Sequence, residues 1–285
     1  MNRVALRKIP LRAVPFPGLA QKVHRWVFAL FLLQFVLVWL SLWAPWPKFG
    51  NTRWPDGLLV VLAAATTVAS LSRQLPAQNV MLASAIIVFI AGVVNTVGGL
   101  SGVPFGPCHY TKRIGQTLFE PLPWAVPIVW LIAILNARGV GRLILRPWRA
   151  SRNYGFWLMG MTVLLVVLFD FALEPFATEV KHFWEWGPSH ARLFWYTAPW
   201  VNFVGWAVTA SLILAFATPS LINKKPVKHP PDYHPLVVWV LLNALFITGA
   251  VNRQLWSVVI EASTATALVM LSVALSWWTA TRHHP

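Results

Sequence analysis

The sequence predicts an all-α, polytopic transmembrane helical bundle of about eight helices, with both termini in the cytoplasm. Of its 285 residues, 57% are hydrophobic and only 11% are charged, whereas an average soluble protein carries about 25% charged residues. The apolar residues also form runs that approach the ~20 residues a helix needs to cross a bilayer. These observations exclude soluble enzyme folds, because the surplus apolar side chains must face lipid.

Eight apolar runs are the candidate helices. The first, 26–43, follows a basic segment and lacks the short core and small-residue cleavage site of a signal peptide, so we interpret it as a membrane helix. The other runs are 57–71, 78–97, 118–137, 154–173, 194–217, 235–251 and 255–278. We therefore expect a basic cytoplasmic segment at 1–25, a single transmembrane helical domain at 26–279 and a cytoplasmic tail at 280–285.

The basic residues predict the orientation of the bundle. The formal net charge is +15, and 16 of the 23 lysines and arginines fall on the side of the N-terminus when the connections are counted alternately. Cytoplasmic loops retain positive charge, so both termini should be cytoplasmic and the chain should lie in the cell inner (cytoplasmic) membrane. Basic residues placed between apolar runs are typical of loops held near anionic lipid, and this pattern argues against nucleic acid as a partner.

Metal and cofactor chemistry has little support in the sequence. The single cysteine, Cys108, can form neither an internal disulfide nor a cysteine metal cluster. No histidine lies in the middle of a predicted helix, where a haem ligand would be needed, and His182 with His190 lacks a third ligand. No nucleotide-binding or zinc-protease motif is present. We therefore expect no metal and no cofactor.

The aromatic content is high, with 18 tryptophans and 17 phenylalanines. Aromatic belts at the two membrane interfaces would account for only part of this number. Two noncytoplasmic connections, 98–117 and 175–193, are longer than the roughly 2–8 residues usual between packed helices. We expect the remaining rings to line an apolar cavity beneath these connections.

Two acidic residues near the end of the fifth run are candidate catalytic groups. Asp170 and Glu174 are four residues apart, so a helix places both carboxyls on one face. Two such groups in apolar surroundings cannot both ionise, and a neutral carboxylic acid can donate a proton. In the alternative interpretation the pair lies in interfacial water or caps a neighbour such as Arg192. The spacing leaves both interpretations open.

A stripe in the sixth run is a candidate binding surface. Trp195, Asn202 and Trp206 are spaced by seven and four residues, which places them on one face of a helix. Trp184 and Trp186 lie in the connection just before it. Aromatic faces stabilise cations, so acids beside tryptophans suit chemistry that forms a carbocation. Such stripes also occur as ordinary packing, and buried asparagines often join helices.

Four motifs resemble one known family, over about residues 85–216. Pro-Phe-Gly at 104–106 precedes Tyr110, and an acid–x₃–acid–Pro series occupies 170–175. Trp-Glu-Trp follows at 184–186, and Pro-x₂-Asn-x₂-Gly-Trp at 199–206. In order and approximate spacing these motifs are similar to those of the integral-membrane carotenoid biosynthesis proteins. That family includes carotenoid 1,2-hydratases of the bisanhydrobacterioruberin hydratase type.

The resemblance implies a hydro-lyase that adds water to the terminal 1,2 double bond of an acyclic carotenoid, without a cofactor. An acid, Asp170 or Glu174, would protonate C2, and water would capture the tertiary cation at C1. Trp184, Trp186 and Trp206 would shield the cation and Asn202 could hold the water. The substrate-binding residues implied by the resemblance are Asn95, Phe105, Tyr110, Trp184, Trp186, Asn202 and Trp206.

Two other functions remain open. Asn95 lies where the family carries an acid, and this favours a non-catalytic carotenoid-binding or carrier protein of the same family. A proton-coupled transporter would spread its acids through the membrane depth, whereas Asp170 and Glu174 lie at one end of one helix. The expected partners are an acyclic carotenoid and membrane lipid, and the oligomeric state stays open.

Overall fold

The computed structural model of the protein describes residues 18–43, 54–188, 193–222 and 230–282. These ranges contain eight helices that are long and apolar enough to cross a membrane, which confirms the predicted all-α bundle. The helices are α1 (Gly18–Trp43), α2 (Trp54–Leu71), α3 (Ala77–Ser101), α4 (Ala125–Ile144), α5 (Tyr154–Pro175), α6 (Val201–Ala217), α7 (His234–Asn252) and α8 (Trp256–Arg282). Most of the predicted basic segment, and Arg192 and His190, lie outside the described residues.

Within the described ranges, six short strands form three two-stranded antiparallel sheets. The strands are β1 (Cys108–Tyr110), β2 (Thr117–Phe119), β3 (Leu122–Pro123), β4 (Trp184–Trp186), β5 (Phe194–Trp195) and β6 (Ala198–Pro199). Strands β2 and β3 form one hairpin, β5 and β6 form another, and β1 pairs with the distant β4. The two long connections are therefore joined to each other by the β1–β4 sheet.

Two predicted helices begin later than the sequence indicates. The runs 118–137 and 194–217 start with the β2–β3 and β5–β6 hairpins, and α4 and α6 follow them. Pro121, Pro123 and Pro199 explain the difference, because proline has no N–H to donate inside a helix. The apolar side chains of the hairpins give them the composition of a membrane helix without its hydrogen bonds.

Helix α4 lies at the centre of the bundle. In its most apolar stretch 78% of the residues are buried, against 22% in α1 and 28% in α8. It packs against α2, α3, α5, α7 and α8. Helices α1 and α8 carry rows of exposed apolar side chains, including Leu30, Leu33 and Leu271. The outer helices thus have the surface expected next to lipid.

The two ends of the bundle differ in chemistry. At one end, called the basic end, Arg73 after α2 hydrogen-bonds to Gln21 in α1 and to Asp232 before α7. At the other end, called the sheet end, the three β sheets cover the helices. The contacts of Arg73 show that the start of α1, the end of α2 and the start of α7 share the basic end, as expected for helices that alternate in direction.

Gly205 allows a loop to approach α6, and its replacement should weaken the fold. A Cβ at this position would lie 2.8 Å from the carbonyl oxygen of Pro104 and 2.7 Å from the Phe105 ring. We expect Gly205→Ala to destabilise the protein by about 1–3 kcal/mol, because the helix and loop would have to separate. The measurement is the midpoint of thermal unfolding in detergent. The control is Gly160→Ala, where a Cβ meets nothing within 4 Å; equal midpoints for both variants would contradict the expectation.

Candidate functional site

An apolar cavity of about 140 Å³ lies inside the bundle at the sheet end. Side chains of α2 to α7 form its walls, and the β1–β4 sheet covers it. Of the nine residues that the sequence predicts for the site, eight line this cavity: Asn95, Phe105, Tyr110, Glu174, Trp184, Trp186, Asn202 and Trp206. The ninth, Asp170, lies behind the wall. The structure thus places distant motifs around one space.

The β1–β4 sheet explains the Trp-x-Trp spacing. Side chains alternate between the faces of a strand, so Trp184 and Trp186 point to the same side and Glu185 to the other. On β1 the residues paired with them, Tyr110 and Cys108, share the cavity face. The strand therefore presents two indoles to the cavity and leaves Glu185 exposed.

Glu174 is the buried carboxyl group that lines the cavity. It lies in the last turn of α5 and is only 2% exposed. Its Oε1 accepts hydrogen bonds from the indole N–H groups of Trp184, at 2.8 Å, and Trp186, at 2.6 Å. Two donors on one oxygen fix the position of the Glu174 side chain in the cavity wall. The β1–β4 sheet is thereby joined to α5 through this acid.

Asp170 lies one helical turn before Glu174 and is fully buried, with 0% exposure. Its Oδ2 accepts a hydrogen bond of 2.9 Å from the amide of Asn202 at the start of α6. Its Oδ1 has no hydrogen-bond partner among the described residues. The structure therefore buries both carboxyls inside the protein, and neither lies in interfacial water. An oxygen without a partner at such depth is costly unless it carries or shares a proton.

Pro175 shapes the end of α5. Since proline has no N–H, the carbonyl of Phe171, four residues earlier, loses its usual partner within the helix. The indole of Trp195 donates to this carbonyl at 3.2 Å. The prediction that Trp195 shares a face of the sixth helix with Asn202 is therefore wrong, because Trp195 lies on β5 before that helix begins. It anchors the β5–β6 hairpin to α5.

Tyr110 and Asn95 form a polar contact in the cavity wall. The Tyr110 hydroxyl donates to Asn95 Oδ1 at 3.3 Å, and the Asn95 amide donates to the carbonyl of Ala91. Burial, together with the nearby Cys108 and Glu174, raises the pKa of Tyr110, so its phenol stays neutral. Burial and Glu174 likewise raise the pKa of Cys108, which keeps it a thiol and not a nucleophilic thiolate.

Aromatic rings make up much of the remaining wall. Trp206 of α6 stacks on Trp130 of α4, with ring centroids 4.0 Å apart and an interplanar angle of 21°. Phe105 wedges between α3 and α6, close to Gly98 and Gly205. Sequence reasoning missed Trp130, a fully buried residue of the central helix. In the sequence, Trp130 is only a large aromatic residue within an apolar run, and such residues are also found in ordinary helix packing.

A salt bridge lies at the rim of the cavity. Asp56, in the first turn of α2, lines the cavity and accepts hydrogen bonds of 2.8 and 3.0 Å from Lys181. Lys181 follows the π-helical turn Phe176–Val180 that continues from α5. Both side chains are partly exposed, so this pair marks where the cavity approaches the surface of the sheet end.

The donor set does not resemble a metal site. Among the described residues, no group of three or more histidine, cysteine, aspartate or glutamate side chains is placed to hold a metal ion. The polar side chains that line the cavity are those of Asp56, Asn95, Cys108, Tyr110, Arg113, Glu174, Trp184, Trp186 and Asn202. Such a set can orient a small polar molecule and transfer a proton beside an apolar ligand.

The fold and cavity together define a multi-pass membrane protein whose helices enclose an apolar cavity beside a buried pair of carboxyls. The comparison with known families places residues 56–272 in one of them, described as carotenoid biosynthesis protein. The chain belongs to this family. The family that the four motifs predicted is thus confirmed.

One curated relative is the bisanhydrobacterioruberin hydratase of Haloarcula japonica, which is 29% identical over 119 residues. The matched segment covers 42% of this chain and only 38% of the relative's length. No solved structure matches the chain significantly. The family and this relative support a carotenoid-modifying role.

Proposed function

We propose that the protein is a carotenoid 1,2-hydratase, a hydro-lyase that adds water to the terminal double bond of an acyclic carotenoid and needs no cofactor. The observation that supports it most is Glu174, a buried acid held by two indoles in the wall of an apolar cavity. In this proposal the chain lies in the cell inner membrane, with its basic end toward the cytoplasm.

Glu174 is the proposed proton donor because it lines the cavity and Asp170 does not. Two carboxyls one helical turn apart in an apolar interior cannot both be ionised, so the pair holds at least one proton. Asn202 fixes one oxygen of Asp170, and the other oxygen is available to hold a proton that passes to Glu174 before Glu174 donates it. Asp170 thus acts as a positioning residue and proton reserve behind Glu174.

The proposed reaction has two steps. Glu174 gives its proton to C2 of the terminal double bond, and the π electrons form the new C–H bond, leaving a tertiary cation at C1. Trp184, Trp186 and Trp206 line the cavity, and their aromatic rings would stabilise this positive charge. A water molecule then attacks C1, and the Glu174 carboxylate takes up its excess proton, which restores the acid.

The size of the cavity fits the end of a carotenoid and not its whole length. A cavity of about 150 Å³ in another protein holds a benzene molecule. The space of about 140 Å³ found here therefore accepts about one isoprenoid end group. The rest of the polyene would extend from the cavity, while the end group is held beside Glu174.

The direct test is to produce the full chain in a host that accumulates an acyclic carotenoid. We expect a 1-hydroxy product, separated by chromatography and identified by mass spectrometry. Growth in isotope-labelled water should place the label in the new hydroxyl group, because a hydratase takes its oxygen from water. A product whose oxygen comes from O₂ would contradict a hydratase.

The same experiment separates the alternative of a non-catalytic carotenoid carrier. A carrier would purify with an unchanged pigment bound and give no hydroxylated product. Asn95 favours this alternative in sequence, but in the structure it accepts a hydrogen bond from Tyr110, and the acid Glu174 lies elsewhere in the wall. Absence of both pigment and product would contradict both functions.

A further inference from the structure

Whereas the apolar cavity lies at the sheet end, a second pocket, which has a polar lining, lies at the basic end of the bundle. It has a volume of about 30 Å³ and lies between α2, α4 and α7. A single water needs roughly 10–15 Å³ on this measure, so the space suits a small polar group and not an acyl chain. Its polar lining includes Thr67, Gln74, Asn136, Arg138 and Arg142.

Positive charge dominates this pocket. Arg138 and Arg142 are four residues apart in α4, and like charges at this spacing destabilise a helix. Arg138 donates to the carbonyl of Leu221 and Arg142 donates to the side-chain oxygen of Gln74, and both of these acceptors are uncharged. An anion between the two guanidiniums would remove the repulsion.

The only carboxylate at this end of the described chain is already engaged. Asp232 accepts hydrogen bonds from Arg73 at 2.6 Å, Ser70 at 2.8 Å and Gln74 at 2.9 Å. Burial opposes ionisation, but Arg73, Ser70 and the backbone amide of His234 together lower the pKa of Asp232. The carboxylate therefore stays charged and is directed mainly at Arg73.

Two residues that line the pocket each have a buried polar atom without a partner among the described residues. His234 lines the pocket, and its Nδ1 bonds to His24 while its Nε2 has no partner. The amide nitrogen of Asn136 donates to Thr67, but its Oδ1 has no partner. Both residues are more than nine-tenths buried. Donors and acceptors left open beside guanidiniums indicate a missing ligand that can both accept and donate hydrogen bonds.

We propose that this pocket binds a phosphate group, contacted by Arg138 and Arg142 and by the open nitrogen of His234. Guanidinium groups match phosphate oxygens in geometry and charge, and basic pockets between membrane helices bind lipid headgroups. The phosphate can come from an anionic phospholipid or from a free phosphate ion. This proposal does not depend on the proposed carotenoid chemistry.

The test measures thermal unfolding of the full chain in maltoside detergent while a ligand is titrated. The probes are a short-chain phosphatidylglycerol, inorganic phosphate, and a diacylglycerol with the same chains but no phosphate. We expect a saturable rise of the unfolding midpoint with a phosphate-bearing probe and none with diacylglycerol. A rise with phosphatidylglycerol alone identifies a lipid headgroup, and an equal rise with inorganic phosphate identifies the free ion.

Two variants and one control make the test specific. Arg142→Gln removes a guanidinium, and Gln74→Glu places a carboxylate beside Arg142, so each should weaken the response about tenfold or more. Gln74→Glu retains the cation and still tests the site if Arg142→Gln does not fold. Arg152→Gln removes an exposed charge at the same end and should leave the response unchanged. The proposal would be overturned if the unfolding midpoint did not rise with any phosphate probe, or if it rose equally with diacylglycerol. It would also be overturned if Arg152→Gln weakened the response as much as the two site variants do.

Discussion

Glu174→Gln is expected to abolish hydration of the carotenoid, lowering product formation by about 10²–10⁴-fold. Glutamine has nearly the same shape, and its carbonyl oxygen can still accept from Trp184 and Trp186. The β1–β4 sheet should therefore stay in place while the transferable proton is lost. The measurement is 1-hydroxy product per amount of protein, with the unfolding midpoint recorded on the same samples.

Glu185→Gln is the matched control for this prediction. Glu185 lies between the two tryptophans on β4, but it is exposed and faces away from the cavity. The same chemical change on the opposite face of the strand should leave product formation unchanged. If Glu174→Gln keeps most of its activity, Glu174 is not the proton donor and the proposed reaction fails.

Asp170→Asn is expected to lower kcat by about 10²-fold or more and to leave KM nearly unchanged. Asp170 does not line the cavity, so its loss should not alter how the carotenoid binds. The asparagine in this variant cannot hold a proton behind Glu174. In the native protein the Asn202 amide donates a hydrogen bond to Asp170, so the new side-chain amide would have to rearrange against this donor.

The control for Asp170→Asn is Glu261→Gln, which removes another acid from a membrane helix. Glu261 lies in α8 and does not line the cavity. We expect both kinetic constants to stay unchanged in this variant. A rise of KM alone in Asp170→Asn would show that this acid serves substrate binding and not proton transfer.

Much of the fold could be predicted because a bilayer leaves few choices for the backbone. Long apolar runs must form helices there, so all eight were found from composition and length. The starts of α4 and α6 were wrong because the β2–β3 and β5–β6 hairpins are also apolar. Only Pro121, Pro123 and Pro199 mark these hairpins in the sequence, and proline also occurs in the first turn of a helix, as Pro127 does in α4.

The candidate site was predictable where short spacings determine direction. The separation of Asp170 and Glu174 placed both on one helix face, whereas the strand that turns Trp184 and Trp186 to the same side was not predicted from the sequence. Spacing could not show which carboxyl faces the cavity, because that depends on how α5 is rotated against α4 and α6. Trp130 was missed for the same reason, since only packing selects it from the other apolar residues of α4.

The tie between Pro175 and Trp195 has a consequence for related chains. The carbonyl of Phe171 is open to the indole because the proline cannot occupy it. A residue with an ordinary amide at 175 would compete with the indole for that oxygen, and a chain without the tryptophan would leave the oxygen unsatisfied. The two positions should therefore covary, so that homologues change both residues or neither.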